Sequence, residues 1–176
     1  MYIYGEKILF RAIEGRDNGL LRGLINDPDT ERMVFGASWP VSESEQQRWI
    51  SELRPRADML RCIAEDRTTG EALGTVILSD IDQRNGTAEL HIKLAAAARG
   101  KGYGTDCVRT AVGYAFRVLR LNCVYANILS YNTASRKLFE RCGFTLDGIL
   151  RSRVYKDGQY VDACAYSILR GEEAKL

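Results

Sequence analysis

Arg99-Gly100-Lys101-Gly102-Tyr103-Gly104-Thr105 is the stretch on which the reading of this chain turns. It follows a strand-like run, Thr87 to Leu94, and precedes a run whose apolar residues Cys107, Val108, Ala111, Val112, Ala115, Phe116 and Leu119 recur at helical spacing. Glycines let successive backbone N–H groups turn to one side, and the start of a helix adds partial positive charge. Together they make a seat for a diphosphate. A flexible turn carrying basic surface residues would use the same letters, so spacing has to separate the readings. The nucleotide P-loop needs Gly-x-x-x-x-Gly-Lys-Ser/Thr, which this chain lacks. The dinucleotide fingerprint needs Gly-x-Gly-x-x-Gly opening a parallel βαβ unit, whereas the glycines here fall at 100, 102 and 104. Both are excluded.

Upstream the pattern is rich in strands. Leu60 to Glu65, Leu73 to Ile81 and Thr87 to Leu94 read as three, with turns at Thr68-Thr69-Gly70 and at Asp82-Gln83-Arg84-Asn85-Gly86. This predicts an antiparallel meander. Ahead of it lie a short strand at Ile8 to Ala12, a helix from Asp17 to Asn26 stopped by Asp27-Pro28, and an irregular segment from Asp29 to Pro40. Ser42 with Glu45 makes a capping box for a helix running to about Leu53, which Pro55 stops. Downstream, Asn122 to Ile128 reads as a strand and Asn132 to Cys142 as a helix closed by Gly143. Phe144 to Leu146 and Val154 to Leu169 form a last strand pair about the Asp157-Gly158 turn.

Nothing in the composition divides the chain. Its 176 residues, 45% hydrophobic and 27% charged, suit one folded domain over residues 1–176, with no linker or repeat. A net charge of +2 provides no field for nucleic acid or an anionic membrane. No apolar stretch has the length of a bilayer-spanning helix. Met1 to Lys7 lacks the layout of a signal peptide, so a cytoplasmic protein is expected. Cys62, Cys107, Cys123, Cys142 and Cys164 form no Cys-x-x-Cys pair, and the single histidine, His91, has no cysteine at ligand spacing. They read as small apolar residues in a reducing compartment, and no metal centre is expected.

Arg99-x-x-Gly102-x-Gly104 resembles the signature of the GNAT superfamily of N-acetyltransferases. Ala88-Glu89-Leu90 before it, Asn132-x-x-Ser135 after it, and Cys142-Gly143-Phe144 follow the same order and spacing, so the resemblance spans essentially the whole chain. The tail, Tyr155-Lys156-Asp157-Gly158-Gln159-Tyr160-x-Asp162 and then Ile168-Leu169-Arg170, resembles the branch that acetylates ribosomal-protein N-termini or spermidine. The resemblance implies an α/β (α+β) fold with a mixed, mostly antiparallel sheet of six to seven strands and about four flanking helices. It implies an acetyl-CoA-dependent N-acetyltransferase acting on a primary amine, either a small molecule or a peptide N-terminus, and a homodimer. A polyamine acetyltransferase and a catalytically weak acyl-CoA-binding module are the competing readings.

The resemblance also assigns roles. Arg99, Gly100, Lys101, Gly102, Tyr103, Gly104 and Thr105 would cradle the diphosphate of the cosubstrate. The backbone of Ile92, Lys93 and Leu94 would run beside the pantetheine arm, with the Leu94 N–H polarising the thioester carbonyl. Asn132 would bond the same arm, although asparagine is equally a good helix N-cap. Glu89 stands where the family places its general base, and alternation puts it on one face with His91, a second proton carrier, and Lys93. A strand whose polar face meets water gives the same pattern. One position departs from the branch: Phe139 stands seven places after Asn132, where many relatives carry a tyrosine that protonates the leaving thiolate. Ser135, one turn earlier, is the substitute candidate. The acceptor region, which the family builds from the early helices, their connection and the last hairpin, here contains Glu31, Phe35, Trp39, Glu43, Glu45, Tyr155 and Tyr160, although solvated helix-terminal glutamates are the plainer account of the acidic ones.

Overall fold

The computed structural model describes residues 2–36 and 39–173. Its elements, in chain order, are β1 (Ile3–Tyr4), β2 (Ile8–Arg11), α1 (Asn18–Asn26), α2 (Pro28–Arg32), α3 (Glu43–Glu52), β3 (Leu60–Asp66), β4 (Ala72–Asp82) and β5 (Thr87–Leu94). There follow α4 (Tyr103–Arg117), β6 (Cys123–Leu129), α5 (Thr133–Arg141), β7 (Thr145–Lys156) and β8 (Gln159–Leu169). All the strands join one sheet in the order β1-β2-β3-β4-β5-β6-β8-β7, and only the β5–β6 pair is parallel. The expected meander is β3-β4-β5, antiparallel throughout.

Among the described residues, eight strands and five α-helices replace the six to seven and about four expected. The two-residue β1 is too short for alternation to reveal. Helix α2 occupies the segment expected to be irregular, of which Ala37 and Ser38 lie outside the described residues. Asp27-Pro28 ends α1 as foreseen but also starts α2. The Asp27 carboxylate accepts the amides of Asp29 and Thr30, and Pro28, with no N–H to lose, fits the first helical position. Strand β7 runs unbroken where two pieces were expected. Register shifts at Leu146/Gly148 and Leu150/Val154 disturb the alternation that would have exposed it. The Ser42/Glu45 capping box is present in both directions.

Helix α4 covers one sheet face. Cys107, Val108, Ala111, Val112, Ala115 and Phe116 are buried in one cluster with Leu90, Val124, Ala126, Phe139, Phe144 and Tyr166. Helices α1 and α3 cover the other face, with Leu21 and Ile50 in one cluster with Ile63 of β3. Four of the five cysteines lie buried, as read from the sequence, and Cys123 is half-buried. Burial pushes the thiol of Cys62 up to about 11 and that of Cys107 up to about 12.

Candidate active site

The glycine loop meets α4 in the geometry its letters suggest. Gly102 caps the helix in the left-handed region at φ 87°, and Gly100 lies there at φ 76°, a conformation that side chains resist. The first helical hydrogen bond runs from Asp106 N–H to Gly102 O at 3.2 Å. The amides of Tyr103, Gly104 and Thr105 therefore precede any carbonyl that could accept them. A Cβ on Gly100 would meet nothing within 4 Å, so this side of the loop is open. Lys101 is exposed and Thr105 half-buried. The Tyr103 hydroxyl is spent on Asp66; that bond and the amides of Thr69 and Thr68 pull the Asp66 carboxyl down to about 2. These residues fit an anion, with free amides, an open cradle and a helix start.

A second feature lies in the sheet. Strand β5 pairs with β6 only at Thr87↔Cys123, Ala88↔Val124 and Glu89↔Tyr125, although β5 continues to Leu94 and β6 to Leu129. Beyond Glu89 the two strands part. Ala95 N–H bonds Leu73 O at 2.9 Å, which places the backbone bonds of Lys93, His91 and Glu89 on the β4 side. By alternation the amides of Ile92 and Leu94 point into the gap, and that of Lys93 does not. Gly74 on β4 allows the close crossing here, because a Cβ on it would stand 2.0 Å from Lys93 O.

Glu89 sits at the floor of this gap. Its Oε1 accepts the Asn127 side-chain amide at 3.0 Å and the Asn127 backbone N–H at 3.4 Å. Its Oε2 lies 3.6 Å from His91 Nε2, which is itself 2.8 Å from Ser79 Oγ. Glu89 and His91 thus come together, with Ser79, Asn127 and Tyr125 added by the structure. Burial and then the Glu89 charge raise the Tyr125 hydroxyl, which keeps its proton. Asn127 could have been found by alternation along β6 had the parallel register been known; Ser79 carries no sequence signal.

Other candidates are engaged locally. Arg99 donates from Nε to Leu94 O at 3.0 Å and from Nη2 to Thr30 Oγ1 at 3.1 Å, tying the end of β5 to α2. Asn132 is the N-cap of α5, accepting Ser135 N–H at 3.1 Å and donating to Met33 O at 3.2 Å. Ser135 stands half-buried beside it on the first turn of α5. Phe139 is core, set edge-on against Phe144 with centroids 4.9 Å apart.

On the acceptor side, the buried Lys156 ammonium donates to Glu31 Oε1 at 2.6 Å and to the carbonyls of Glu31 and Gly36. Glu45 closes the α3 cap, and Glu43 lies 3.7 Å from Arg22. Phe35 is partly exposed, Trp39 lies almost fully in solvent, and Tyr155 and Tyr160 pair edge-on at 5.2 Å. The Lys93 side chain makes no hydrogen bond or ion pair among the described residues. Burial, and then the charge of Lys156, lower its ammonium.

A glycine cradle at a helix start, beside a sheet that opens over a carboxylate, defines a transferase that takes its group from an acyl-coenzyme A. The GNAT acetyltransferase domain matches residues 7–145, and the chain belongs to that family. It is 30% identical over 174 residues to an uncharacterised N-acetyltransferase of Bacillus licheniformis, p20, covering 98% of each chain. It is 25% identical over 167 residues to the spermidine N(1)-acetyltransferase of Vibrio cholerae, covering 95% of each. The crystal structure of the Vibrio cholerae spermidine N-acetyltransferase with CoA and spermine matches with a TM-score of 0.87 at 25% identity. That match covers 96% of this chain and 98% of the other. The protein is an acetyl-CoA-dependent N-acetyltransferase. Among the described residues no helix is long and apolar enough to cross a membrane.

Proposed function

We propose that the protein acetylates a small-molecule primary amine, brought to Glu89 from the side of α2 and the β7–β8 hairpin. One observation carries this reading: β5 and β6 part just beyond Glu89, leaving a carboxylate at the floor of a gap walled by two free amides. Acetyl-CoA supplies the thioester. The free amides of Tyr103, Gly104 and Thr105, with Gly100, Lys101 and Gly102, hold its diphosphate. Ile92 and Leu94 flank the pantetheine arm, and the Leu94 N–H receives the charge that develops on the carbonyl oxygen. An ordinary ammonium has a pKa of about 10, so the acceptor must lose a proton to attack, and Glu89 takes it directly or through His91. Phe139 provides no acid. A thiol of pKa about 8.5 leaves at neutral pH with little help, and the Ser135 hydroxyl stands nearest in sequence to the lost tyrosine.

The spermine-bound relative supports the acceptor class. Two features set this chain apart from a polycation site. Glu31 is bonded to Lys156, Glu45 closes the α3 cap and Glu43 lies 3.7 Å from Arg22, while a basic residue, Lys93, shares the Glu89 face. We therefore place monoamines ahead of spermidine. The reading extends to one domain over residues 1–176, a cytoplasmic location, and a homodimer, for which the exposed Leu146, Ile149 and Leu150 on edge strand β7 speak. Thiol release from acetyl-CoA, measured with monoamines, polyamines and N-terminal peptides, tests the acceptor. Turnover with monoamines above polyamines is expected. Turnover confined to peptides overturns the proposal, and turnover led by spermidine overturns the preference.

A further inference from the structure

We infer that Lys7, delivered by the N-terminal segment, is a binding residue for the diphosphate of acetyl-CoA, and that Asp106 positions it there. The inference rests on the glycine loop being the diphosphate site. Residues 5–8 are pressed onto the first turn of α4. The Asp106 carboxylate accepts the amides of Glu6 at 3.0 Å, Lys7 at 2.6 Å and Ile8 at 3.0 Å. A Cβ on Gly5 would fall 2.8 Å from Asp106 Oδ1 and 2.4 Å from Thr110 Oγ1, so only glycine lets the chain come so close. From the other side, Arg67 N–H bonds Lys7 O at 3.0 Å, and its guanidinium bonds the Gly5 carbonyl at 2.8 Å. The Lys7 backbone is held from both flanks.

Its side chain is then laid against the loop. Lys7 Nζ lies 3.4 Å from the point where a Cβ on Gly102 would begin. With about 2.5 Å from that point to the Gly102 nitrogen, the ammonium and the amide are at most about 5.9 Å apart. A hydrogen bond of about 2.9 Å from each side leaves room for two oxygens of one phosphate within that distance, so one phosphate group can meet both the ammonium and the loop. Lys7 makes no side-chain hydrogen bond or ion pair among the described residues. Of the two carboxylates lining the same cleft of about 470 Å³ with Arg67, Thr68 and Tyr103, Asp66 is already occupied by Tyr103, Thr68 and Thr69, and Glu6 forms no ion pair with Lys7 among the described residues. Asp106 offsets part of the positive end of α4 but accepts backbone amides, so the Lys7 ammonium and the amides at the helix start both remain to meet the diphosphate.

Lys7→Met keeps the stem and removes the charge. Calorimetric titration should give about five- to tenfold weaker binding of both acetyl-CoA and its 3′-dephospho form. Turnover of S-acetylpantetheine, which has no phosphate, should not change, and Lys7→Arg should restore most of the affinity. A loss with acetyl-CoA but not with the dephospho form would assign Lys7 to the 3′-phosphate and overturn the inference. Unchanged affinity for both would overturn it too. Gly102→Asp then tells which reading failed: weak binding in that variant leaves the loop standing without Lys7, and unchanged binding removes the loop itself. For Asp106, Asp106→Asn should weaken acetyl-CoA binding in the native background and add nothing in the Lys7→Met background. An equal further loss there would reduce Asp106 to a structural residue.

Discussion

Replacing Gly74 by alanine would test the placement of the Leu94 amide from the strand behind it. Gly74 pairs with Leu94 across β4–β5, and a Cβ there would lie 2.0 Å from Lys93 O and 2.8 Å from Leu94 Cα. A comfortable carbon–oxygen contact is about 3.3 Å, so the end of β5 has to retreat by more than about 1 Å. A displacement of about 1 Å costs on the order of 100-fold in rate, and loss of one oxyanion donor about 100- to 1,000-fold. We expect kcat to fall about 100-fold. Overpacking of this kind costs roughly 1–3 kcal/mol, which lowers Tm by about 3–10 °C in a chain of this length. The diphosphate seat lies on the loop beyond β5, so the affinity for acetyl-CoA should change far less than kcat. The assay is thiol release at saturating amine, beside a circular-dichroism melt. A folded Gly74→Ala enzyme with the lowered Tm but kcat within about twofold of the native value would refute the role given to Leu94.

Glu89→Gln should lower kcat/KM by about 100-fold or more near pH 7, with the deficit narrowing toward pH 10 as the acceptor amine loses its own proton; a pH–rate profile parallel to the native one removes Glu89 as base. Tyr103→Phe removes the main donor to Asp66. Because Asp66 is held at about 2 against an ordinary 3.8, its contribution to stability is complete above pH 4 and lost as pH falls toward 2. The variant should therefore lose less stability over that window in acid melts, and an unchanged acid slope contradicts the assignment. Native protein titrated with a disulfide reagent at pH 8 should give at most one fast thiol, Cys123, because the other four are buried; two or more fast thiols would contradict that burial.

Sequence resolved local elements best where one chemical device sets a boundary. Ser42 and Glu45 define a cap by themselves, and the strand Thr87–Leu94 ends at the residues its pattern names. The glycine loop was legible for the same reason, since φ above zero and free amides leave their mark on residue type. What stayed hidden depends on partners distant in sequence. Asn127 serves Glu89 only because β5 and β6 run parallel, and Lys7 reaches Gly102 only because Asp106 grips the chain almost a hundred residues earlier. Arg99 and Asn132 matched a pattern in which they meet the ligand, and the bonds their side chains make to α2 and the carbonyl that follows it had no mark in the sequence. A side chain's place in a motif does not fix the direction in which it bonds.

That direction matters for how the gap is kept open. Parting β5 from β6 leaves three residue pairs to hold the halves of the sheet together along that seam. Three points of attachment on one short segment compensate. Thr30 of α2 meets Arg99 on the β5 rim, Met33 O receives the Asn132 amide on the α5 rim, and Glu31 with Gly36 receives Lys156 from the hairpin rim. Residues 30–36 thus touch the β5, α5 and hairpin rims of the opening proposed as the path of the acceptor. Lys156 is the buried charge of the set, so its loss would strand the Glu31 carboxylate and release the hairpin edge first. The segment that braces the gap is also the segment that borders its entrance, so changes there act on acceptor KM and on stability together, while the thioester side, built from β5 and α4, is left to the glycine loop.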